Sequence, residues 1–225
     1  MNIAIYDLDK TITRRPTFTR FLIYFAQHKQ PLWLAMVPIW IAALLGHKLG
    51  MYPRKPLKQF GIALFMGRAL SPDVVGEVGS DFIDDIIVNG CQPGALQSID
   101  RDRGENYRLV LATAAPEFYA REIGARLCFD DVIATRHKST PGGEISNHID
   151  GENCYGAEKH RRVEHWLSQQ GISRDEAHIR FYSDDISDAP MLDFADQGHA
   201  INADAEFAKA ALESGWTVLD FRKPR

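Results

Sequence analysis

The sequence predicts an α/β protein in which helices cover a mostly parallel sheet and a helical block is inserted behind the first strand. An apolar run at residues 3–6 is followed directly by polar residues, as expected of a buried strand that ends at a loop. Beyond residue 100, short apolar runs alternate with segments of helical periodicity, whereas residues from about 17 to 90 have a helical pattern broken by prolines. We therefore expect an α/β core of residues 1–13 and 100–225, with a helical cap of residues 14–99.

The individual elements are predicted from apolar runs bounded by turn residues. Strands are expected at residues 3–6, 107–114, 131–135 and 178–184, with two more within residues 198–203 and 216–221. Helices are expected at residues 116–127, 156–170 and 188–195, and a hairpin or loop at residues 141–151. No alternating pattern predicts a strand between residues 17 and 90.

Composition and charge place the chain among soluble globular proteins. Of its 225 residues, 45% are hydrophobic and 25% are charged. The net charge of −4 gives no overall basic field, so nucleic acid is not an expected partner. Cys91, Cys128 and Cys154 form no C-x-x-C pair, which is typical of a reducing compartment. Because the first residues also lack the pattern of a signal peptide, we expect a cytoplasmic protein, monomeric or dimeric.

One stretch is unusually apolar: PLWLAMVPIWIAALLG, residues 31–46, carries no charged residue. As a helix it would span about 24 Å, less than the bilayer hydrocarbon core of about 30 Å. Pro38 in its middle would kink or split such a helix. Three interpretations are open: a pair of buried cap helices, a surface that contacts lipid or a lipid-like substrate, and a membrane span. The short length and Pro38 favour the first two, so any membrane contact is expected to be peripheral and at the inner face.

Polar residues follow three of the predicted strands and begin one predicted helix. They are Asp7, Asp9, Thr113, Asp184, Asp185, Asp188 and Lys159. Each alone is compatible with a turn, a helix cap or a solvated surface position. In an open α/β sheet, however, ligands bind beyond the carboxyl ends of the strands. Carboxylates that converge there form a set of hard oxygen ligands suited to Mg²⁺, which would also offset the repulsion between Asp7 and Asp9.

Four of these segments, taken in order, resemble the motifs of the haloacid dehalogenase-like hydrolases. They are DLDKT with Asp7 and Asp9, LVLATAA with Thr113, YGAEKHRRVEHWL with Lys159, and YSDDISDAPML with Asp184 and Asp188. The last of them and the closing segment AINADAEFAKAALESGWTVLDF are most similar to the phosphoserine-phosphatase-like branch, subfamily IB. The resemblance covers residues 1–13 and 100–225. It implies a Rossmann-like core with a C1-type cap where the helical block lies.

The resemblance also implies an activity and a set of roles, those of a Mg²⁺-dependent phosphomonoester hydrolase. Asp7 would be the nucleophile that forms an aspartyl-phosphate, and Asp9 the general acid and base. The Thr113 hydroxyl and the backbone N–H of Ala114 would hold phosphoryl oxygens, and Lys159 would offset negative charge. The implied Mg²⁺ ligands are Asp7, the Asp9 carbonyl, Asp184 and Asp188.

The positions that recognise substrate in phosphoserine phosphatases differ in this sequence. Their Glu, seven residues after the second Asp of the first motif, corresponds to Pro16, which cannot pair with an ammonium group. The neighbouring Arg14 and Arg15 would instead attract anionic charge, and Ala114 stands where Gly is common. We therefore expect a small or lipid-linked phosphomonoester other than free phosphoserine, with Arg14, Arg15, Thr113, Ala114 and Lys159 as its contacts.

Other interpretations stay open at the level of sequence. A haloalkanoate dehalogenase shares the fold and the nucleophile, but it needs no metal and leaves Asp9, Asp184 and Asp188 without a role. Ion-pumping ATPases also contain the string DKT, but their nucleophile directly precedes the Lys, and this chain is far too short. A phosphoserine phosphatase proper is a further alternative, as is a non-catalytic binding module that uses the same fold.

Overall fold

The core of the protein is a six-stranded parallel sheet, as the computed structural model shows for the described residues, 1–224. The strands are β1 (Asn2–Tyr6), β2 (Ala69–Leu70), β3 (Arg108–Pro116), β4 (Asp131–Thr135), β5 (His137–Ser139), β6 (Ile145–Ile149), β7 (His178–Ser183), β8 (Gln197–Ile201) and β9 (Thr217–Leu219). The sheet has the order β4-β3-β1-β7-β8-β9, so β1 is central, between β3 and β7. The predicted α/β fold with a mostly parallel sheet is confirmed.

Helices cover both faces of this sheet. They are α1 (Phe18–Lys29), α2 (Val37–Lys48), α3 (Arg54–Phe65), α4 (Pro72–Asp85), α5 (Pro93–Gly104), α6 (Glu117–Arg126), α7 (Ala157–Gln169), α8 (Ala189–Phe194) and α9 (Ala205–Ser214). Val163, Leu192 and Phe207 of α7, α8 and α9 pack on one face. Ile99 of α5 and Ile123 of α6 pack on the other. Because alternate side chains of a strand point to opposite faces, β1 contributes to both cores.

The elements predicted after residue 100 match the structure to within two residues at each end. The predicted hairpin or loop at residues 141–151 is a hairpin, formed by β5 and β6. Helix α9 was absent from the prediction, although Asp204 caps it by accepting a hydrogen bond of 2.9 Å from the backbone N–H of Phe207.

The helical block after β1 consists of α1 to α4 with their connecting segments, which we call the cap. Two antiparallel linkers join it to the core, and they meet at the bridge between Thr13 and Cys91. The predicted boundary at residue 99 falls inside α5, so it needs correction. Ala95 and Ile99 of α5 are buried in the core beside Leu109 of β3, so the second linker lies near residue 91. No helix was predicted at residues 93–104, and only the packing of α5 assigns it to the core.

The cap also contains a short strand, which the sequence did not predict. Strand β2 pairs with β6 in antiparallel register, with Ala69 opposite Ser146 and Leu70 opposite Ile145. The resulting small sheet, in the order β2-β6-β5, ties the cap to the hairpin that follows β4. Strand β2 has two residues, too few for an alternating pattern to be visible in sequence.

The apolar stretch at residues 31–46 splits just before Pro38. A short 3₁₀ helix, Pro31–Met36, leads into α2, where Pro38 occupies the first turn and leaves the helix unbroken. Trp40 of α2 is buried and packs edge-on against Phe65, and its ring lies so close to Gly61 that a Cβ there would approach within 2.8 Å. By length and composition, Pro31–Lys48 is the one stretch of the described residues that could cross a membrane, and 11% of it is buried.

Candidate active site

A buried ammonium group lies between two carboxylates at the carboxyl end of β1. Asp7 is the first residue after β1, and its Oδ1 lies 2.8 Å from Nζ of Lys159. The same Nζ lies 2.5 Å from Oδ2 of Asp188, which also accepts a hydrogen bond of 2.7 Å from the Ser183 hydroxyl. Lys159 and Asp188 are each 1% exposed. The structure thus brings together three of the predicted site residues in one hydrogen-bonded group.

The local backbone explains why α7 delivers Lys159 to this point. Gly156, which precedes the helix, has a positive φ of 58°. A Cβ at this position would lie 3.1 Å from the carbonyl oxygen of Ser187, so glycine allows the start of α7 to approach the turn that contains Asp188. Lys159 then occupies the first turn of α7 and points inward.

One lysine cannot balance the carboxylates that surround it. Burial, partly offset by Lys159 and reinforced by the charge of Asp188, raises the pKa of Asp7 to about 7. Burial alone would lower the pKa of Lys159, but the charges of Asp188 and Asp7 raise it above its usual range. Both pKa values are raised, which favours the charged form of Lys159 but the neutral form of Asp7. We attribute this to Asp188, which takes most of the neutralising effect of the ammonium and leaves Asp7 with excess negative charge.

Asp184 adds a further carboxylate, partly buried, beside this group. Its Oδ1 accepts a hydrogen bond of 3.4 Å from the Thr11 hydroxyl, and its backbone N–H donates to the same hydroxyl at 3.0 Å. Burial raises the pKa of Asp184 to about 6, against the opposing charge of Lys10, whose Nζ is 3.9 Å away. Its neighbour Asp185 instead caps the turn at Ile186–Asp188 by accepting from the Ser187 N–H at 3.0 Å.

These oxygens fit a divalent cation in chemistry. Oδ1 of Asp188 is buried and has no hydrogen-bond partner among the described residues. Together with the raised pKa values of Asp7 and Asp184, it marks an excess of buried negative charge that a hard cation would relieve. Within residues 1–224, no three His, Cys, Asp or Glu side chains are already gathered as a metal-binding cluster. Asp7, Asp9 through its carbonyl, Asp184 and Asp188 are the groups available to bind Mg²⁺.

Asp9 is oriented by the beginning of the cap. Its Oδ1 accepts two hydrogen bonds of 2.8 Å, from the backbone N–H and from the hydroxyl of Thr17. The Thr17 hydroxyl in turn lies 3.0 Å from the phenolic oxygen of Tyr119 in α6. Oδ2 of Asp9 takes part in neither of these hydrogen bonds, and the side chain lines the same cavity as Asp7. A carboxylate held through one oxygen keeps the other free for proton transfer.

The turn that carries Asp7 and Asp9 is held by two side chains from elsewhere in the chain. Lys10 has a positive φ of 60°, which is uncommon for a residue with a Cβ. Its carbonyl accepts hydrogen bonds from the side-chain amides of Gln92, at 2.5 Å, and Asn202, at 3.3 Å. Gln92 lies in the second cap linker, and Asn202 directly follows β8. The strained turn is therefore fixed by both the cap linker and the core.

Thr113 and Ala114 lie at the end of β3, beside the same cavity. Thr113 is buried, and its hydroxyl accepts a hydrogen bond of 3.0 Å from the backbone N–H of Ala115. The carbonyl of Ala114 accepts hydrogen bonds from the Thr135 hydroxyl at 2.8 Å and from Nζ of Lys58 at 2.5 Å. Both residues are therefore ordered where the sequence placed them.

A cavity of about 280 Å³ covers these groups and is roofed by the cap. Its lining from the cap is apolar and basic, comprising Pro16, Phe18, Thr19, Trp40, Leu44, His47, Arg54, Leu57 and Lys58. Arg54 stacks on the ring of Tyr155 at 3.7 Å, and Lys58 also donates to Oδ1 of Asn153 at 2.8 Å. Burial, with the nearby charge of Arg54, lowers the pKa of Lys58 to about 7. No acidic side chain of the cap lines this cavity.

The predicted substrate contacts Arg14 and Arg15 do not line this cavity, and their part in substrate binding stays a prediction. Arg14 lies on the first linker, and its Nε donates to the carbonyl of Cys91 on the second linker at 3.1 Å. Arg15 is exposed. The contact with Cys91 holds Arg14 on the linkers, where it lines a neighbouring hollow together with Lys10 and Asp184. The cationic groups that the cap contributes to the cavity are Arg54 and Lys58.

Sequence analysis missed Arg54 and Lys58, although one signal was present. Lys58 occupies the buried face of α3 together with Leu57, Gly61 and Ile62. A lysine on the apolar side of an amphipathic helix indicates a buried polar contact or a site.

Comparisons with known proteins agree with this geometry. The family model for haloacid dehalogenase-like hydrolases matches residues 4–193. The phosphoserine phosphatase SerB1 of Mycobacterium tuberculosis is 28% identical over 164 residues, which cover 73% of this chain and 52% of that protein. The chain thus spans about half the length of this and other curated relatives that it matches.

Solved structures share the fold at low sequence identity. A protein of unknown function from Bordetella pertussis superposes with a TM-score of 0.87 at 20% identity, over 98% of both chains. A phospho-aspartyl intermediate analogue of a phosphoserine phosphatase superposes with a TM-score of 0.63 at 14% identity, over 99% of this chain and 93% of the other. The family model covers most of the chain and includes every candidate site residue, and on that basis the chain belongs to the haloacid dehalogenase-like hydrolase family.

Proposed function

We propose that this protein is a Mg²⁺-dependent phosphomonoester hydrolase that works through an aspartyl-phosphate intermediate. The observation that carries the proposal is the buried group of Asp7, Lys159 and Asp188 at the end of β1, with the half-free carboxylate of Asp9 two residues further on. The relatives named as phosphatases support the reaction class. A non-catalytic binding module would have no need of a buried carboxylate with a raised pKa at the floor of a cavity.

In the first step, a carboxylate oxygen of Asp7 attacks the phosphorus, and the bond from phosphorus to the leaving alkoxide breaks. Asp9, protonated on its free oxygen, gives that proton to the alkoxide as it leaves. The Thr113 hydroxyl and the N–H of Ala114 hold phosphoryl oxygens, and Lys159 offsets the charge that accumulates there. Mg²⁺ at Asp7, Asp9, Asp184 and Asp188 would supply further stabilisation of negative charge.

In the second step, Asp9 is a carboxylate and takes a proton from a water molecule. The resulting oxygen nucleophile attacks the phosphorus of the aspartyl-phosphate, which releases inorganic phosphate and regenerates Asp7. Thr17 keeps Asp9 in place throughout, because its two hydrogen bonds engage only Oδ1. The cap excludes bulk water from both steps.

We propose a small or lipid-linked phosphomonoester as substrate, with free phosphoserine disfavoured. Pro16 lines the cavity at the position where an acidic side chain would be needed to bind an ammonium group, and the cap contributes only apolar, neutral polar and basic side chains. Trp40, Leu44 and Leu57 suit an apolar leaving group, while Arg54 and Lys58 suit additional anionic charge. The free state of all three cysteines supports a cytoplasmic location.

The mechanism is tested by metal dependence. Protein treated with EDTA should hydrolyse p-nitrophenyl phosphate at least about 100-fold more slowly than the same protein resupplied with Mg²⁺. Equal rates would contradict the mechanism. A panel of soluble and lipid phosphomonoesters at fixed Mg²⁺, ranked by kcat/KM, tests the substrate class. Phosphoserine at the top of that ranking would overturn the proposed selectivity and leave the mechanism intact.

A further inference from the structure

Helix α2 is apolar on both of its sides, yet only one side packs against the protein. The inner side includes Trp40, Leu44 and His47, which line the active-site cavity. Exposed apolar side chains on the other side of α2 and at its flanks form what we call the outer apolar face: Leu32, Ile39, Ile41, Leu45, Leu49 and Met51. Each of these is between 48% and 88% exposed. A helix that is apolar all round is expected to be buried, so this face indicates an interface.

The spacing of these side chains makes the face continuous. Ile41, Leu45 and Leu49 are four residues apart and therefore lie one above another on the helix. Leu32 and Met51 extend the apolar surface beyond its two ends. An isolated exposed leucine is ordinary, but six large apolar side chains on one short segment are a patch.

The charge of the surrounding chain identifies the kind of partner. Residues 10–72 contain ten Lys and Arg residues and no Asp or Glu. The whole chain has 26 basic and 30 acidic residues, so the remainder holds 16 basic and 30 acidic residues. Four of the ten cations pair with acidic groups outside this range, and they are Lys10, Arg20, Lys29 and Lys55. Lys48 is exposed on α2 itself. The segment that carries the outer apolar face is thus strongly cationic.

An apolar face on a cationic segment favours an anionic bilayer over a second copy of the chain as its partner. A second copy of the chain that docked on the same face would bring two cationic segments together, which their mutual repulsion opposes. The surface of an anionic phospholipid bilayer offers the complementary charge together with an apolar layer a few ångströms below it. Basic residues around exposed leucine and isoleucine side chains are the combination that holds an interfacial helix.

We propose that the outer apolar face docks the cap on an anionic phospholipid bilayer, with α2 in the plane of the interface. The docking goes beyond the proposed function and does not depend on it. One consequence does rest on that function: the inner side of α2 is a wall of the cavity, so docking would bring the site of Asp7 close to the headgroup phosphates of lipids.

The packing of α2 is better explained by a helix that lies in the membrane interface than by a helix that crosses the membrane. Its 12 residues are about 18 Å long, and Trp40 on its inner side is held against Phe65 and Phe18 within the cap. Withdrawal of α2 into the bilayer would expose that packing. The helix therefore presents one side to lipid and keeps the other in the protein.

The test is flotation of the full chain with unilamellar vesicles. Wild-type protein should bind vesicles that contain about 30 mol% phosphatidylglycerol in phosphatidylcholine, and bind pure phosphatidylcholine vesicles at least about tenfold more weakly. The double variant Ile41→Glu with Leu45→Glu should lose binding to the anionic vesicles by at least about tenfold. Leu212→Glu, at a more exposed apolar position on α9, is the control and should bind as wild type does.

Two further measurements keep the result interpretable. Circular dichroism melting establishes that the double variant is folded, and its hydrolysis of p-nitrophenyl phosphate should equal that of wild type, because neither Ile41 nor Leu45 lines the cavity. Vesicle binding without any hydrolysis would reject the proposed function and leave the docking intact. Absence of binding to anionic vesicles, or equal binding by the double variant, would overturn the docking. So would a wild-type dimer that the double variant converts to monomer, since that outcome assigns the face to a second copy.

Discussion

The edge of the core sheet buries charged side chains, whereas the outer side of the cap exposes apolar side chains to water. At the core edge, Asp7, Lys159 and Asp188 are charged groups withdrawn from water and bound to one another. On the cap, Ile41 and Leu45 are apolar groups that water surrounds. Both arrangements are unfavourable unless a ligand completes them, since buried charge needs a counter-charge and exposed apolar surface needs a partner. In the function that we propose, the core would supply the chemistry and the cap would select the substrate.

Substitution of the nucleophile tests the core side of this comparison with the largest expected effect. Asp7→Asn should lower kcat/KM for p-nitrophenyl phosphate by at least about 1,000-fold, because an amide is a poor nucleophile and a weaker metal ligand. Steady-state kinetics at saturating Mg²⁺ measure this. Asp100→Asn, at an exposed carboxylate on α5, is the matched control. A variant of Asp7 with more than about a tenth of wild-type activity would remove Asp7 from the reaction.

The carboxylate that the cap orients should have a distinct signature. Asp9→Asn should lower kcat by about 100- to 10,000-fold, because the second step loses its base. If the first step still proceeds with an activated ester, phosphorylated enzyme should accumulate. Intact-protein mass spectrometry after quenching detects that adduct, which Asp7→Asn should not form. An adduct present in both variants would place the phosphoryl group on another residue.

Substitution of single arginines compares a cationic group that lines the cavity with one that was predicted from sequence to contact the substrate. Arg54→Ala should raise KM for an anionic phosphomonoester by about tenfold, because Arg54 lines the cavity. Arg15→Ala removes the same charge from a position outside the cavity and should change KM by less than about twofold. A larger increase in KM for Arg15→Ala than for Arg54→Ala would support the sequence prediction and would show that the substrate does not bind in this cavity.

A further expected effect is on stability rather than on activity, and it concerns the buried lysine of the cap. The pKa of Lys58 is lowered to about 7 in the folded protein, against an ordinary value of about 10.4 in the unfolded chain. Between these values the unfolded chain binds more protons, so stability should rise with pH from about 7 to about 10. The rise attributable to this group is at most about 5 kcal/mol.

The matched variant for this effect is Lys58→Met, whose unbranched side chain is one atom shorter and does not titrate. Thermal unfolding of both proteins from pH 6 to pH 9 gives the slope of Tm against pH for each. The difference between the two slopes is independent of the hydrogen bonds that are lost in Lys58→Met. Wild type should gain Tm relative to Lys58→Met as pH rises. Parallel curves would show that Lys58 is charged in the folded state throughout this range.

The core could be predicted from sequence because its signals are local and short. The apolar runs of β1, β3, β4 and β7 end in polar residues, and the parallel order places those ends side by side. The grouping of Asp7, Thr113, Lys159 and Asp184 at one edge follows from that pattern. The cap could not be predicted to the same depth, because helical periodicity alone does not say which helix packs where. The sequence prediction placed residues 93–99 of α5 in the cap and did not include the two residues of β2.

The sequence by itself determined the alternation of strands and helices, the polar residues at the strand ends and the absence of acidic residues from 10–72, because each is a property of neighbouring positions. Only the tertiary structure decided that Arg54 and Lys58 enter the cavity while Arg14 and Arg15 do not, and that one side of α2 packs while the other stays exposed. The physical reason is that burial depends on segments distant in the chain. The contact with Cys91 holds Arg14 on the paired linkers, and the packing of Trp40 on Gly61 sets the rotation of α2.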